Sequence, residues 1–405
     1  MDKRLRTLII AFSAMFVFGM VLQTLPPVLP MVIQDLKLSH AQGGLLMGFF
    51  ALPGIFFALP GGVLVDKYGP RIVGLVSLII MLAGILIVAS GTTFFHLSMG
   101  RFISGLGASS IMIVAAQAVS RSFLQGKLGI AMGIFNAGVP AGTIFSHNFF
   151  SFAGSIWGWR FPVYISAVAC VILILVFWFY TGFKSAEGSS QAESFQSSAA
   201  DIFVQSVNSV KKHWYIWIVA GAWMAFISSR IGSLTFAPDY FGSIGFDAAY
   251  AGFLASLFTM GSLVLSPFVG HLLDKTGKPE SFMIIGGVIL AFLFVLISVA
   301  PAGYLIIAAS IGLAAALIPV SIFSLVPKFL PEEKLGLGYG ILRICENTGM
   351  LAGPFFVGLT YDLSGAYFYG FVLMAILSLL VAISAVVLKH YLKKELDSKA
   401  LFESR

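Results

Sequence analysis

Charged residues are scarce in this chain of 405 residues: they make up 10% of it, whereas a soluble domain carries about 25%. Hydrophobic residues account for 59%, and the mean hydropathy is +0.98. No charged residue lies between Arg71 and Arg101 or between Glu280 and Lys328. A soluble fold cannot bury so much apolar surface, so the long runs predict membrane-spanning helices. They lack the period-2 alternation of a membrane β-barrel.

Features that would indicate other classes of protein are also missing. The two cysteines, Cys170 and Cys345, fall in apolar segments, which argues against a disulfide framework. The chain has no Walker-type loop, no cluster of metal ligands and no nucleophile–base pair, so we expect neither an enzyme nor a cofactor. The net charge of +7 sits mainly in short loops between apolar runs, which favours membrane topology over nucleic-acid binding.

The apolar runs predict twelve helices in two sets of six. An N-terminal bundle is expected over 1–182, a polar linker over 183–213, a C-terminal bundle over 214–391 and a tail over 392–405. The excess of Lys and Arg in alternate loops predicts that both termini, the linker and the tail are cytoplasmic. The first apolar run is too long for a signal-peptide core and is expected to be retained. The predicted spans run at about 7–30, 42–66, 71–92, 95–121, 127–154, 160–182, 214–241, 247–272, 281–300, 303–327, 335–361 and 366–391.

The two halves repeat. "NAGVPAG" from Asn136 matches "NTGMLAGP" from Asn347, and a shift of 208 positions places Asp66 and Lys67 on Asp274 and Lys275. The predicted fold is therefore an all-α membrane protein with twelve transmembrane helices in two pseudo-symmetric six-helix bundles. Parallel repeats of this kind are typical of transporters, whose site lies between the halves at mid-membrane.

One charged stretch between spans, "GGVLVDKYGPR" from Gly61 to Arg71, resembles a signature of the major facilitator superfamily, and "RFISGLGAS" from Arg101 resembles its fourth-helix motif. The resemblance implies the major facilitator fold and secondary transport by alternating access. It also implies a cytoplasmic gate that clamps the two halves together. The alternative is that these charges only set the topology. The gate would comprise Gly62, Asp66, Lys67, Gly69 and Arg71, with Asp274 and Lys275 from the second copy.

Three charges fall near the middle of predicted spans, where each costs at least about 2.5–3.5 kcal/mol. Arg230 is a candidate anchor for an anion, because a guanidinium binds planar oxyanions through two hydrogen bonds. The alternative is an ion pair with Glu346 or Asp239. Arg343 and Glu346 share a helix face. Arg343 is a candidate substrate contact or a structural partner of Glu346, and Glu346 either couples transport to protons or stays a permanently ionised partner.

Weaker candidates lie on other spans. Asn136 and His147 share a face of the fifth span with Thr143, where they could bind a polar ligand, bind a proton or only pack. Arg101 could serve proton coupling or stabilise the outer end of the fourth span. The predicted substrate-binding residues are Arg230, Arg343, Asn136, Gln117, Gln23 and Asn347, and the predicted proton-coupling residues are Glu346, His147 and Arg101.

The predicted function is secondary transport of a small carboxylate or oxyanion, coupled to protons or exchange, by a monomer in the cell (inner) membrane. Its expected partners are an anionic substrate and membrane lipid. The repeated Asn- and Gly-rich stretches resemble those of oxalate/formate, cyanate and nitrate carriers, but the second and eighth spans lack the mid-membrane arginines of the nitrate pattern. Rival functions are a proton-coupled multidrug exporter and a receptor that does not transport.

Overall fold

The computed structural model describes residues 3–123, 127–179, 214–331 and 334–403. The predicted linker at 183–213 lies outside the described residues. In the N-terminal half the chain forms a helical bundle with short connections. Its helices are α1 (Lys3–Leu22), α2 (Leu29–Leu36), α3 (His40–Ser90), α4 (Phe94–Phe123), α5 (Leu128–Phe145), α6 (Ser151–Trp157) and α7 (Arg160–Phe179), with a 3-10 turn at Pro26–Val28 and a π-helical turn at Ser146–Phe150.

The C-terminal half repeats this arrangement. Its helices are α8 (Trp214–Ser243), α9 (Ala248–Thr276), α10 (Pro279–Val299), α11 (Tyr304–Ala315), α12 (Leu317–Phe329), α13 (Leu335–Ser364) and α14 (Tyr367–Glu403). Eleven described segments are long and apolar enough to cross a membrane, and α13, which carries Arg343 and Glu346, is the further long helix that completes the predicted twelve. The described residues thus confirm the predicted all-α fold.

Helix boundaries differ from the prediction where the backbone breaks. The first predicted span is interrupted after Leu22, because Pro26 and Pro27 lack the N–H groups that would continue the helix. The tenth is divided at Ala316, near Pro319, whose missing N–H leaves the Ala315 carbonyl without its helical partner. The last helix continues past the predicted end at 391, to Glu403.

The signature loop bends α3 between the second and third spans. Gly69 has φ 79° and ψ 156°, a conformation that side chains with a β-carbon rarely adopt, and it divides α3 into two helical arms. The equivalent glycine of the second half, Gly277, also has a positive φ, of 65°, and ends α9. The two equivalent glycines thus share a positive φ, whereas their ψ angles of 156° and 12° differ.

The two halves touch closely at one end of the bundle. There the first arm of α3 packs on α13, with Gly44 against the Pro354 carbonyl, and α9 packs on α5 and α6, with Gly252 against the His147 carbonyl. This end, which holds His40 and Asp362, is called the closed end below.

Toward the other end, the described residues of α3 and α13 are more exposed. Gly54 still lies against the Asn347 side chain, and farther from the closed end Phe56 and Tyr339 are 68% and 38% exposed. A β-carbon at Gly340 on α13 or Gly133 on α5 would meet no described atom within 4 Å. In the described part of the chain, the halves are therefore closely packed at one end and less closely packed at the other, which is called the open end below.

Candidate functional site

Arg230 lies in the middle of α8, beside a small pocket inside the C-terminal half. The pocket is walled by Phe226, Ser229 and Ser233 of the same helix, Phe258 of α9, Leu290 and Phe294 of α10, and Ile311 and Ala315 of α11. Among the described residues, no carboxylate lies within ion-pair distance of the Arg230 guanidinium. Glu346 is close enough for the two charges to interact. Asp239, the other partner considered from sequence, bonds Tyr367 and faces His40 instead.

Arg343 and Glu346 form an ion pair on α13, with 2.8 Å between Nη1 and Oε1. Their side chains are 36% and 20% exposed. The other terminal nitrogen of Arg343 lies 2.8 Å from the Met112 sulfur of α4, in the opposite half. The pair therefore bridges the boundary between the halves, on the open side of the Gly54–Asn347 contact.

Asn347 lies at this boundary, whereas Asn136 and Gln117 belong to α5 and α4 of the N-terminal half. Asn347 donates a hydrogen bond to the Arg343 carbonyl at 3.0 Å while its side chain touches α3 at Gly54. Asn136 on α5 is exposed, and its amide bonds the Met132 carbonyl of its own helix at 2.9 Å. Gln117 is half-buried in α4. The structure thus places Arg230, Arg343, Glu346 and Asn347 together, with Asn136 exposed on α5 of the opposite half.

Arg101 and Gln23 lie in the core of the N-terminal half, away from Arg230. Arg101 is 2% exposed and donates to the carbonyls of Leu46, Val21 and Leu22 at 3.1, 2.8 and 3.0 Å. It thereby joins α4 to the ends of α1 and α3, which favours the stabilising alternative. Gln23 is 1% exposed, and its side-chain oxygen has no hydrogen-bond partner among the described residues.

His147 is fully buried between the halves. Its Nδ1 lies 3.0 Å from the Thr143 carbonyl of its own helix, and its Nε2 lies 3.4 Å from the Leu234 carbonyl of α8. The contact belongs to the closed part of the bundle, because Gly252 packs against the His147 backbone. His147 is therefore part of the contact between the halves in this state.

The predicted gate residues lie at the open end. Arg71 donates to the Trp178 carbonyl of its own half at 2.6 Å, and Lys67 is exposed beside the Tyr68 ring. Asp274 and Lys275 are exposed in the last turn of α9. Gly62 falls within α3, and the side chain of Asp66 lies outside the described residues. Arg71 is thus bonded within its own half in a structure that is open at this end.

A second charged cluster, at the closed end, was not identified from the sequence. His40 begins α3 and lies between Asp239 of α8 and Asp362 of α13, with Tyr361 and Tyr367 beside it. The only local signal is the capping box of Ser39 and Gln42, which marks the helix start. More than 300 residues separate His40 from Asp362 along the chain.

Comparisons with known proteins agree on the kind of molecule. The sequence profile described as "Major Facilitator Superfamily" matches residues 11–247 and 218–403. A "Probable nitrate transporter NarT" of Staphylococcus haemolyticus is 27% identical over 91% of this chain and 92% of its own, and a "Lysosomal dipeptide transporter MFSD1" of Danio rerio is 23% identical over 89% and 80%.

The fold also matches solved structures. A crystal structure of a point mutant of the nucleoside transporter NupG superimposes with a TM-score of 0.81, over 95% of this chain and 99% of that one, at 16% identity. These similar proteins are named for three different solutes, so the fold by itself does not select a substrate.

Proposed function

This chain belongs to the major facilitator superfamily, and from that membership we propose that it carries a small anion across the membrane, with Arg230 as the group that binds it. It is a multi-pass membrane protein and a secondary transporter, as its family and fold require. A structure closed at one end and open at the other corresponds to one state of alternating access.

The observation that carries the proposal is the charge balance at the centre of the bundle. Arg230 and Arg343 are two cations, while Glu346 is the one carboxylate near them among the described residues and is already bonded to Arg343 at 2.8 Å. One positive charge is left over, on a guanidinium beside a pocket lined mainly by apolar side chains. An unpaired charge at this depth is costly, so an anion that binds it would be held firmly.

The nitrate transporters among the relatives support an anion as the cargo. NarT proteins from two further staphylococcal species, S. carnosus and S. aureus, are 24% and 25% identical to this chain over 93% and 92% of it. Neither the first arm of α3 nor α9 contains an arginine, which is a departure from the nitrate pattern. We therefore propose a small monovalent or divalent carboxylate or oxyanion and treat nitrate as one member of the test set.

We propose that Glu346 couples this transport to protons. Arg343 and Glu346 neutralise each other in the structure. An anion that engages Arg343 would compete with Glu346 for the guanidinium, and a carboxylate that loses its cation in a poorly solvated site binds a proton more readily. Substrate and proton would then bind together.

The experiment is tracer uptake by the purified protein in liposomes. The panel holds nitrate, formate, acetate, oxalate, a dipeptide, a nucleoside and the lipophilic cation tetraphenylphosphonium. We expect uptake of one or more anions, strong loss in Arg230→Ala, and partial recovery in Arg230→Lys, which keeps the charge but lacks the planar fork. Arg4→Ala, which removes the same charge from an exposed position in α1, is the matched control.

Two outcomes would contradict the proposal. Anion uptake that is unchanged in Arg230→Ala would remove Arg230 from the site. Transport of the lipophilic cation or a neutral solute, with no response to any anion, would instead favour a drug exporter or a neutral-solute carrier.

A further inference from the structure

The two ring nitrogens of His40 each face a carboxylate of the opposite half. Nε2 lies 3.4 Å from Oδ2 of Asp239, and Nδ1 lies 3.3 Å from Oδ1 of Asp362. The imidazole also lies against the Tyr361 ring, with centroids 3.9 Å apart. His40 is on α3, in the N-terminal half, whereas Asp239, Tyr361 and Asp362 are on α8 and α13, in the C-terminal half.

Both carboxylates are held as acceptors. Asp362 accepts hydrogen bonds from the backbone N–H groups of His40 and Ala41, at 2.9 and 2.8 Å, so it caps the first turn of α3 from the other half. Asp239 accepts a hydrogen bond from the Tyr367 hydroxyl at 2.5 Å. Ionised carboxylates accept hydrogen bonds and do not donate them.

Charge, not hydrogen-bond geometry, decides which form of the ring fits here. Each ring nitrogen lies within ion-pair distance of a carboxylate. A neutral imidazole offers these carboxylates no charge, whereas the positively charged imidazolium is attracted to both. The other titratable side chains beside the ring are Tyr361 of α13 and Tyr367 of α14, whose rings contact it.

We propose that His40 is a proton-binding site that the transporter assembles when this end closes. Opening would move His40 away from both carboxylates and leave it in water, where imidazole gives up its proton near neutral pH. By linkage, a group that binds a proton more tightly in the closed state makes protons favour that state. Low pH on the side of the closed end would therefore favour the closed state, and high pH there would favour opening.

This proton differs from the one proposed for Glu346. His40 contacts the solution of the closed end, whereas Glu346 lies on the open side of the Gly54–Asn347 contact. The His40 site rests on alternating access, which is part of the proposed function, and it is independent of the substrate. A measurement without any anion therefore tests it separately from the Arg230 site.

The test is the distance between spin labels across the closed end. Labels are placed at Thr92 and Leu363, exposed positions on opposite halves at this end, in full-length protein with Cys170 and Cys345 replaced by alanine. Double electron–electron resonance spectroscopy is then run on the labelled protein in liposomes between pH 5 and pH 9, without substrate. It gives the fractions of molecules with the short distance (closed end shut) and with the long distance (closed end open). We expect the ratio of open to closed molecules to rise about tenfold or more with pH, within the about 5- to 150-fold range of typical couplings.

Variants give the comparison. His40→Gln should lose the pH response, and His40→Lys, a permanent cation, should stay closed across the range. His96→Gln should respond like the wild type, because His96 is exposed at the same end and bonds only Thr93 among the described residues. A wild-type ratio that does not change with pH, or a full response in His40→Gln, would overturn the proposal. A response lost with His96 rather than His40 would also overturn it.

Discussion

Replacing Gly44 by alanine should open the closed end of the transporter. Gly44 lies on the first arm of α3, where a β-carbon would overlap three backbone atoms of α13: the carbonyl carbon and oxygen of Pro354 and the amide nitrogen of Phe355. Backbone atoms cannot turn aside as a flexible side chain can. The two helices must therefore separate locally to admit the methyl group.

The size of the effect follows from the cost of overpacking. Inserting a methyl group into a closely packed contact costs typically about 1–3 kcal/mol. The contact joins the halves, so the cost falls on the closed state and not on the state in which α3 and α13 have parted. The ratio of open to closed molecules should rise about 5- to 150-fold, while the bundle of each half keeps its packing.

The spin-label pair at Thr92 and Leu363 measures this ratio directly. Gly133→Ala on α5 is the matched control: it adds the same methyl group to a transmembrane helix, at a site with no described atom within 4 Å. We expect Gly44→Ala to shift molecules to the long distance and Gly133→Ala to behave like the wild type. If Gly44→Ala gave the wild-type distribution, the α3–α13 contact would not be the one that closes this end.

Three further changes test individual residues. Glu346→Gln should abolish proton-driven accumulation of the anion while anion exchange persists; accumulation at the wild-type level would reject a role for Glu346 in coupling. Arg101→Met should lower the free energy of unfolding by at least about 3 kcal/mol, since three carbonyls lose a charged donor, measured by thermal unfolding with Arg4→Ala as control. If Arg101→Met left the melting temperature unchanged but uncoupled transport from protons, Arg101 would serve proton coupling rather than stability. Arg230→Lys should bind the anion more weakly than the wild type and more strongly than Arg230→Ala in equilibrium binding; equal binding by both variants would show that charge at this position is irrelevant.

The fold was predictable because an apolar run in lipid must make its backbone hydrogen bonds within itself, and so must form a helix. The repeat of Asp66 and Lys67 at Asp274 and Lys275 marked the two halves. The breaks at Leu22 and Ala316 were harder to predict, because proline is tolerated in many transmembrane helices and interrupts only some of them.

The site was only partly predictable. Arg230, Arg343 and Glu346 stood out because a charge within an apolar run is costly. The i,i+3 spacing placed Arg343 and Glu346 on one helix face, but it left open whether Glu346 would pair with Arg343 or with Arg230; the structure pairs it with Arg343. The cluster of His40 and Asp362 was not predicted, because charges near helix ends are common. Only the packing of α3 on α13 brings these two residues together.

The binding of an anion at Arg230 is the central claim, and thermal unfolding of the purified protein tests it most directly. A ligand that binds only the folded state at 100 times its dissociation constant stabilises it by about 2.7 kcal/mol. We predict that one class of small anion raises the melting temperature of the wild type and of Arg4→Ala but not of Arg230→Ala. Equal stabilisation of Arg230→Ala, or stabilisation only by cations or neutral solutes, would contradict the account.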